Sequence, residues 1–152
     1  MKRLLIILVG VCGISTSAFA QSVKEKKAWD NINEQSKKAA EAIKAKCGVE
    51  VTIMPDKKSW DSIELAEGPA LWCISEGESV IGYLCDDADY KAAVSKQLKK
   101  INCVNDPKLP REGSKDKYGN KHSLKGGVVE WRYNKDSANL GEYLREFLKE
   151  AL

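Results

Sequence analysis

The sequence predicts an α+β fold: about four helices packed on a small, mostly antiparallel sheet, closing with a C-terminal β-hairpin and helix. Three observations carry this. Apolar residues recur at three- and four-residue spacing in several stretches, the period of a helix with one buried face. Between them lie short stretches that alternate apolar and polar, the period of a half-buried strand. An even set of cysteines beyond the N-terminal region is suited to stapling a core of modest size.

Residues 1–20 carry the three-part layout of a signal peptide. Lys2 and Arg3 open it, an apolar run follows from Leu4 to Val11, and small residues lead to Ala18-Phe19-Ala20. A bilayer span needs about 20 apolar residues, so the run is too short for an anchor. A rival reading makes Cys12 the lipid-modified first residue of a lipoprotein. The residue before it is Val11, where a small Gly or Ala is required, so the pattern favours a mature chain starting at Gln21. Residues 21–152 then form one domain.

From Ser22 to Lys46 a helix is expected, with Trp29, Ile32, Ala39, Ala40 and Ile43 on one face. Cys47 continues that face, and Gly48 supplies the left-handed residue that ends the helix. Val49 to Met54 alternates as a strand that stops at Pro55. The segment from Lys57 to Gly68 fits a short helix or an irregular crossover, broken at Gly68-Pro69. Pro69 to Cys85 then reads as a nearly buried helix.

Asp86, Asp87 and Asp89 stand at the start of the next helix and Lys96, Lys99 and Lys100 at its end, the distribution that a helix dipole favours. They lack the spacing and the glycine of a calcium loop. A strand through Ile101 and Cys103 follows, then a polar connection from Asn105 to Asn120. His122 to Asn134 reads as a hairpin about Gly126-Gly127, with Val129, Trp131 and Tyr133 on one face. Asn139 with Glu142 resembles a capping box for a last helix that buries Leu140, Tyr143, Leu144, Phe147, Leu148 and Ala151.

Cys47, Cys73, Cys85 and Cys103 allow three pairings. Cys73 and Cys85 on one helix lie ~18 Å apart, beyond the roughly 7 Å that a disulfide allows. The alternation Lys99-Ile101-Cys103 suggests a chain that doubles back early, which favours Cys47 with Cys73 and Cys85 with Cys103.

The full chain holds 25 Lys+Arg and 22 Asp+Glu, a net +3. The signal removes Lys2 and Arg3 and no acid, so the mature chain carries +1. Interspersed charge at that balance gives no basic stripe for nucleic acid and no polybasic membrane patch, and the lysines read as solvated helix faces. No Cys-x-x-Cys pair, P-loop, haem motif or zinc spacing occurs. No cofactor or metal is therefore expected.

His122 is the lone histidine. Set across the hairpin from Glu130, it offers the single acid/base pair on which a small hydrolase can be built. Trp131 and Tyr133 offer a binding platform if their face is open. The favoured expectation is an exported, non-enzymatic binding or accessory protein of the periplasm or cell exterior, without stable membrane insertion after cleavage. Its expected partner is a protein or a cell-envelope component.

Overall fold

Two reversals of chain direction place the four described cysteines, Cys47, Cys73, Cys85 and Cys103. The structure is a computed structural model that describes residues 16–60, 63–110, 120–137 and 140–152. Most of the expected signal peptide, the middle of the polar connection and the capping residue Asn139 lie outside the described residues.

Helix α1 spans Thr16–Cys47, beginning earlier than Ser22, and Gly48 ends it at φ 77°. The chain reverses into strand β1 (Thr52–Pro55), whose Ile53 is fully buried, as is Val51 just before it. Pro55 sits on an edge strand, where a missing donor is tolerated. After a 3₁₀ turn at Lys57–Ser59 the chain reverses again into helix α2 (Ile63–Leu84). The expected break at Gly68-Pro69 does not occur. Pro69 lies inside the helix and forfeits one backbone bond, while burial of Ala70, Cys73, Ile74, Val80, Ile81 and Leu84 holds the turns that follow.

Helix α3 (Ala88–Gln97) starts at Asp87, whose carboxylate accepts from the backbone N–H of Asp89 and Tyr90 at 2.9 and 3.2 Å. Asp87 thus serves as the cap, with Asp89 in the first turn, while Asp86 pairs with Lys46. Strand β2 (Lys100–Asn105) returns alongside β1. Strands β3 (Asn120–Lys125) and β4 (Val128–Tyr133) form the expected hairpin, and helix α4 (Leu140–Ala151) closes the chain.

The sheet order is β1-β2-β4-β3. Its pairing corrects the expectation of a mostly antiparallel sheet: β1 with β2 and β2 with β4 are parallel, and the β3–β4 hairpin alone is antiparallel. The reason is topological. Strands β1 and β2 are joined through α2 and α3, a helical crossover that returns the chain to the same end of the sheet, and such a connection makes parallel neighbours.

Register sorts the two faces. Ile53, Ile101, Val129 and Leu124 share one row, and Cys103, Trp131 and His122 share the next. This face meets the helices and forms the core with Ile32, Ile43, Leu84, Leu144 and Leu148. Ser36 ties the layers by donating from Oγ to the Ile53 carbonyl at 2.6 Å. Gly77 permits close approach, since a Cβ there would stand 2.9 Å from Cδ1 of Ile53. At the hairpin, Gly126 and Gly127 hold φ 60° and 85°. A Cβ on Gly127 would also meet the Gln97 carbonyl at 2.9 Å.

Disulfides join Cys47 to Cys85 and Cys73 to Cys103, with Cα separations of 5.4 and 6.6 Å. This corrects the favoured pairing of Cys47 with Cys73 and Cys85 with Cys103. The early strand start does hold, at Lys100. What overturns the pairing is the double reversal α1–β1–α2, which makes the two helices run the same way and brings their C-terminal ends together at Cys47 and Cys85. Strand β2 then descends beneath α2 and delivers Cys103 to Cys73. Cys73 and Cys85 remain unbonded to each other.

Sequence separations of 38 and 30 residues give each bridge about 4 kcal/mol in the chain-entropy model. Together these rival the ~5–15 kcal/mol net stability of a whole domain. Trypsin leaves Cys73 and Cys85 on one peptide, so a second cut at Glu76 or Glu78 is needed. An unreduced double digest should link the Cys47 fragment to the Cys85 fragment, and full reduction should unfold the protein near 37 °C. A Cys47–Cys73 peptide, or unchanged melting after reduction, would contradict the fold.

Candidate functional site

The hairpin register decides the fate of the residues expected to act. His122 lies opposite Trp131, and Ser123 lies opposite Glu130. Directly paired residues project from the same face and successive ones from opposite faces. His122 therefore points into the helix layer and Glu130 away from it, and the expected acid/base pair does not form.

The His122 ring packs between Phe147, with centroids 5.0 Å apart, and Trp131, at 6.2 Å. Its Nε2 is buried without a hydrogen-bond partner. Burial lowers its pKa to about 4, well below the range that suits a general base at neutral pH. In this setting the imidazole behaves as an aromatic core residue, and it attaches α4 to the edge of the sheet.

Trp131 and Tyr133 are both 0% exposed. The binding platform considered for them is corrected on that ground: the helices cover their face. Trp131 donates from Nε1 to Oδ1 of the buried Asn120 at 3.3 Å, and the Tyr133 hydroxyl donates to the Pro69 carbonyl at 3.2 Å. Burial raises the Tyr133 pKa, keeping the phenol neutral. Cys47, Cys73, Cys85 and Cys103 are bound in disulfides. Among the described residues no group of His, Cys, Asp or Glu side chains is placed to hold a metal ion.

The helix layer has a shallow groove of about 350 Å³ between α1 and α2, lined in part by Ala42, Lys46, Glu78, Gly82 and Tyr83. Its one lysine is answered within the protein: Lys46 pairs with Asp86 at 3.0 Å. The half-exposed Tyr83 ring already carries Arg145 and Lys149 at 5.4 and 5.3 Å.

The other face of the sheet is different. Its rows run Thr52, Lys100, Val128, Lys125, then Met54, Asn102, Glu130, Ser123, then Val104, Arg132, Lys121. No described helix lies over it, for the sheet contacts of α1, α2 and α4 come from the opposite side, where the buried rows lie. Lys121, Ser123, Lys125 and Val128 are exposed, and Thr52, Met54, Lys100, Asn102, Glu130 and Arg132 are half-buried. Val104 is buried at the far end, as is Leu109 in the turn after β2.

Near the middle of this face, Arg132 donates from Nε to Oε1 of Glu130 at 2.5 Å and stands 3.9 Å from Asp106. The Glu130 hydrogen bond, more than any other contact, raises the Arg132 pKa. Lys100, Lys121 and Lys125 have no acidic partner among the described residues. Reading every lysine as part of a helix face overlooked these positions. The signal was present in the alternation of Asn120–Lys125 and Val128–Tyr133, whose second set of residues is polar apart from Val128.

No protein-family model, curated protein or solved structure matches the chain.

The buried imidazole gives a pH prediction. Its folded pKa of about 4 lies below the ordinary value of 6.5, so between these values the unfolded chain binds the extra proton. Stability is then present in full above pH 6.5, falls as pH drops towards 4, and levels off below. The change is of order 3 kcal/mol at most. His122→Phe should flatten this limb of the stability curve, measured by urea midpoints between pH 4 and 7. An unaltered slope in the variant would show that His122 is not the titrating group.

Proposed function

We propose that this is an exported, non-enzymatic binding protein that meets its partner through the open face of the sheet. The observation that carries the reading is the two-layer build. Helices cover one face of β1-β2-β4-β3, and among the described residues the other face has no covering layer. A sheet with one face on the core and one in water is ordinary for antiparallel strands. Parallel strands are usually covered on both faces, so the two parallel pairings here leave an uncommon open surface.

Export is supported by the two disulfides, which persist in oxidising compartments, and by the signal-like residues 1–20. Among the described residues no helix is long and apolar enough to cross a membrane. The proposed location is the periplasm or the cell exterior. The hydrolase reading draws no support from the geometry, because its acid and base project from opposite faces of the hairpin.

A photo-cross-linking residue placed at Ser123, on the open face, tests this in cells that export the protein. The same residue at Ser79, exposed on α2, is the comparison. An adduct is expected from Ser123 and not from Ser79. Adducts from Ser79 alone, or from neither position, would overturn the reading.

A further inference from the structure

Resting on that reading of the open face, the geometry points to the chemistry of the partner. We infer that the open face takes an acidic protein segment, one that sets carboxylates around an apolar side chain.

Lys100, Val128 and Lys125 form one row across the open face. Neighbouring strands stand about 4.8 Å apart, so the two lysines rise from the sheet roughly 10 Å apart with Val128 between them. Lys121 lies four residues from Lys125 along β3, at about 13 Å. Val128 is 38% exposed and is the one large hydrophobic side chain exposed on the described sheet. A small apolar centre is thus flanked by two ammonium groups, with a third further along β3, that no described acid neutralises.

Most described acids lie elsewhere. Asp86, Asp87 and Asp89 gather at the end of α2 and the start of α3, and Glu142, Glu146 and Glu150 lie on α4. At the open face, Glu130 and Asp106 are both held by Arg132, and Asp56 also bears on that guanidinium. A mature chain of nearly balanced charge therefore presents a locally cationic surface, and charge complementarity assigns it an anionic partner.

Two bland accounts of the lysines fall short. Lysines on an edge strand discourage sheet-to-sheet aggregation, which explains Lys121 and Lys125 on β3. It does not explain Lys100, which sits on the interior strand β2. Helix-dipole pairing with α3 does not explain it either, since α3 ends at Gln97 and Lys100 faces away from the helices.

An acidic protein fits better than a phosphate polymer. Polyphosphate backbones are bound by rows of cations and derive most of their affinity from them, whereas this face sets an apolar side chain and the carboxylate of Glu130 among its lysines. A protein segment can meet Val128 with an apolar residue and the lysines with glutamates, and it can leave Glu130 to Arg132.

The test uses the oxidised mature protein, labelled with ¹⁵N, and a synthetic peptide with glutamates around one central valine. Amide shifts should map to β2, β3 and β4. The apparent Kd should rise about tenfold or more between 50 and 300 mM salt. The K100E/K121E/K125E variant should lose binding at least tenfold while its helix amides stay in place. Lack of binding, binding that survives charge reversal, or equal affinity for inorganic polyphosphate would each overturn the acidic-segment assignment. In the cellular experiment, a Ser123 adduct that persists in the charge-reversed protein overturns this inference alone and leaves the binding reading standing. Loss of the Ser123 adduct from the unaltered protein removes both.

Discussion

The disulfide between Cys73 and Cys103 is the constraint on which the rest of the structure depends. It joins the sheet-facing side of α2 to an interior strand, and both cysteines are fully buried. With α2 held on that face, Gly77 can approach Ile53 and α4 can approach α2 at Gly141, where a Cβ would collide with the Glu76 carboxylate. The second bridge, Cys47 to Cys85, aligns α1 with α2 at their ends. Together the bridges commit the helices to one side, and among the described residues no helix covers the other face of the sheet.

That arrangement links covalent chemistry to surface chemistry. One face of the hairpin supplies Val129, Trp131 and Tyr133 to the core, and the intervening residues Val128, Glu130 and Arg132 form part of the open face. A register slip of one residue would exchange the two sets. Gly126 and Gly127 prevent it by adopting the positive φ values of a two-residue turn. The backbone N–H groups of Lys99 and Lys100 donate to the Gly127 carbonyl at 2.8 and 3.1 Å, which ties this turn to the start of β2.

Much of this was legible in the residues and some was not. Local patterns located most of each helix, the acidic start of α3 and the hairpin turn, because each depends on neighbours in the chain. The parallel pairing and the disulfide partners depend on how many times the chain reverses between Cys47 and Cys73, and no local pattern records that. His122 and Glu130 looked like a pair because they face each other across a turn, yet the two-residue turn gives them opposite parity. Trp131 and Tyr133 were rightly grouped on one face, but only the packing of the helices decides whether that face is open or buried. The lysines of the open face were visible as residues and lacked meaning until the strands were ordered.

Helices seal one sheet face, and among the described residues no helix covers the other, where Val128, Lys121, Ser123 and Lys125 are exposed. Hydroxyl-radical footprinting of the oxidised protein tests this most directly. The account predicts strong modification at Val128 and Met54, with Tyr83 as an exposed reference, and protection of Trp131 and Tyr133 until the disulfides are reduced. Modification of Trp131 at a rate near that of Tyr83 in the oxidised protein would contradict it.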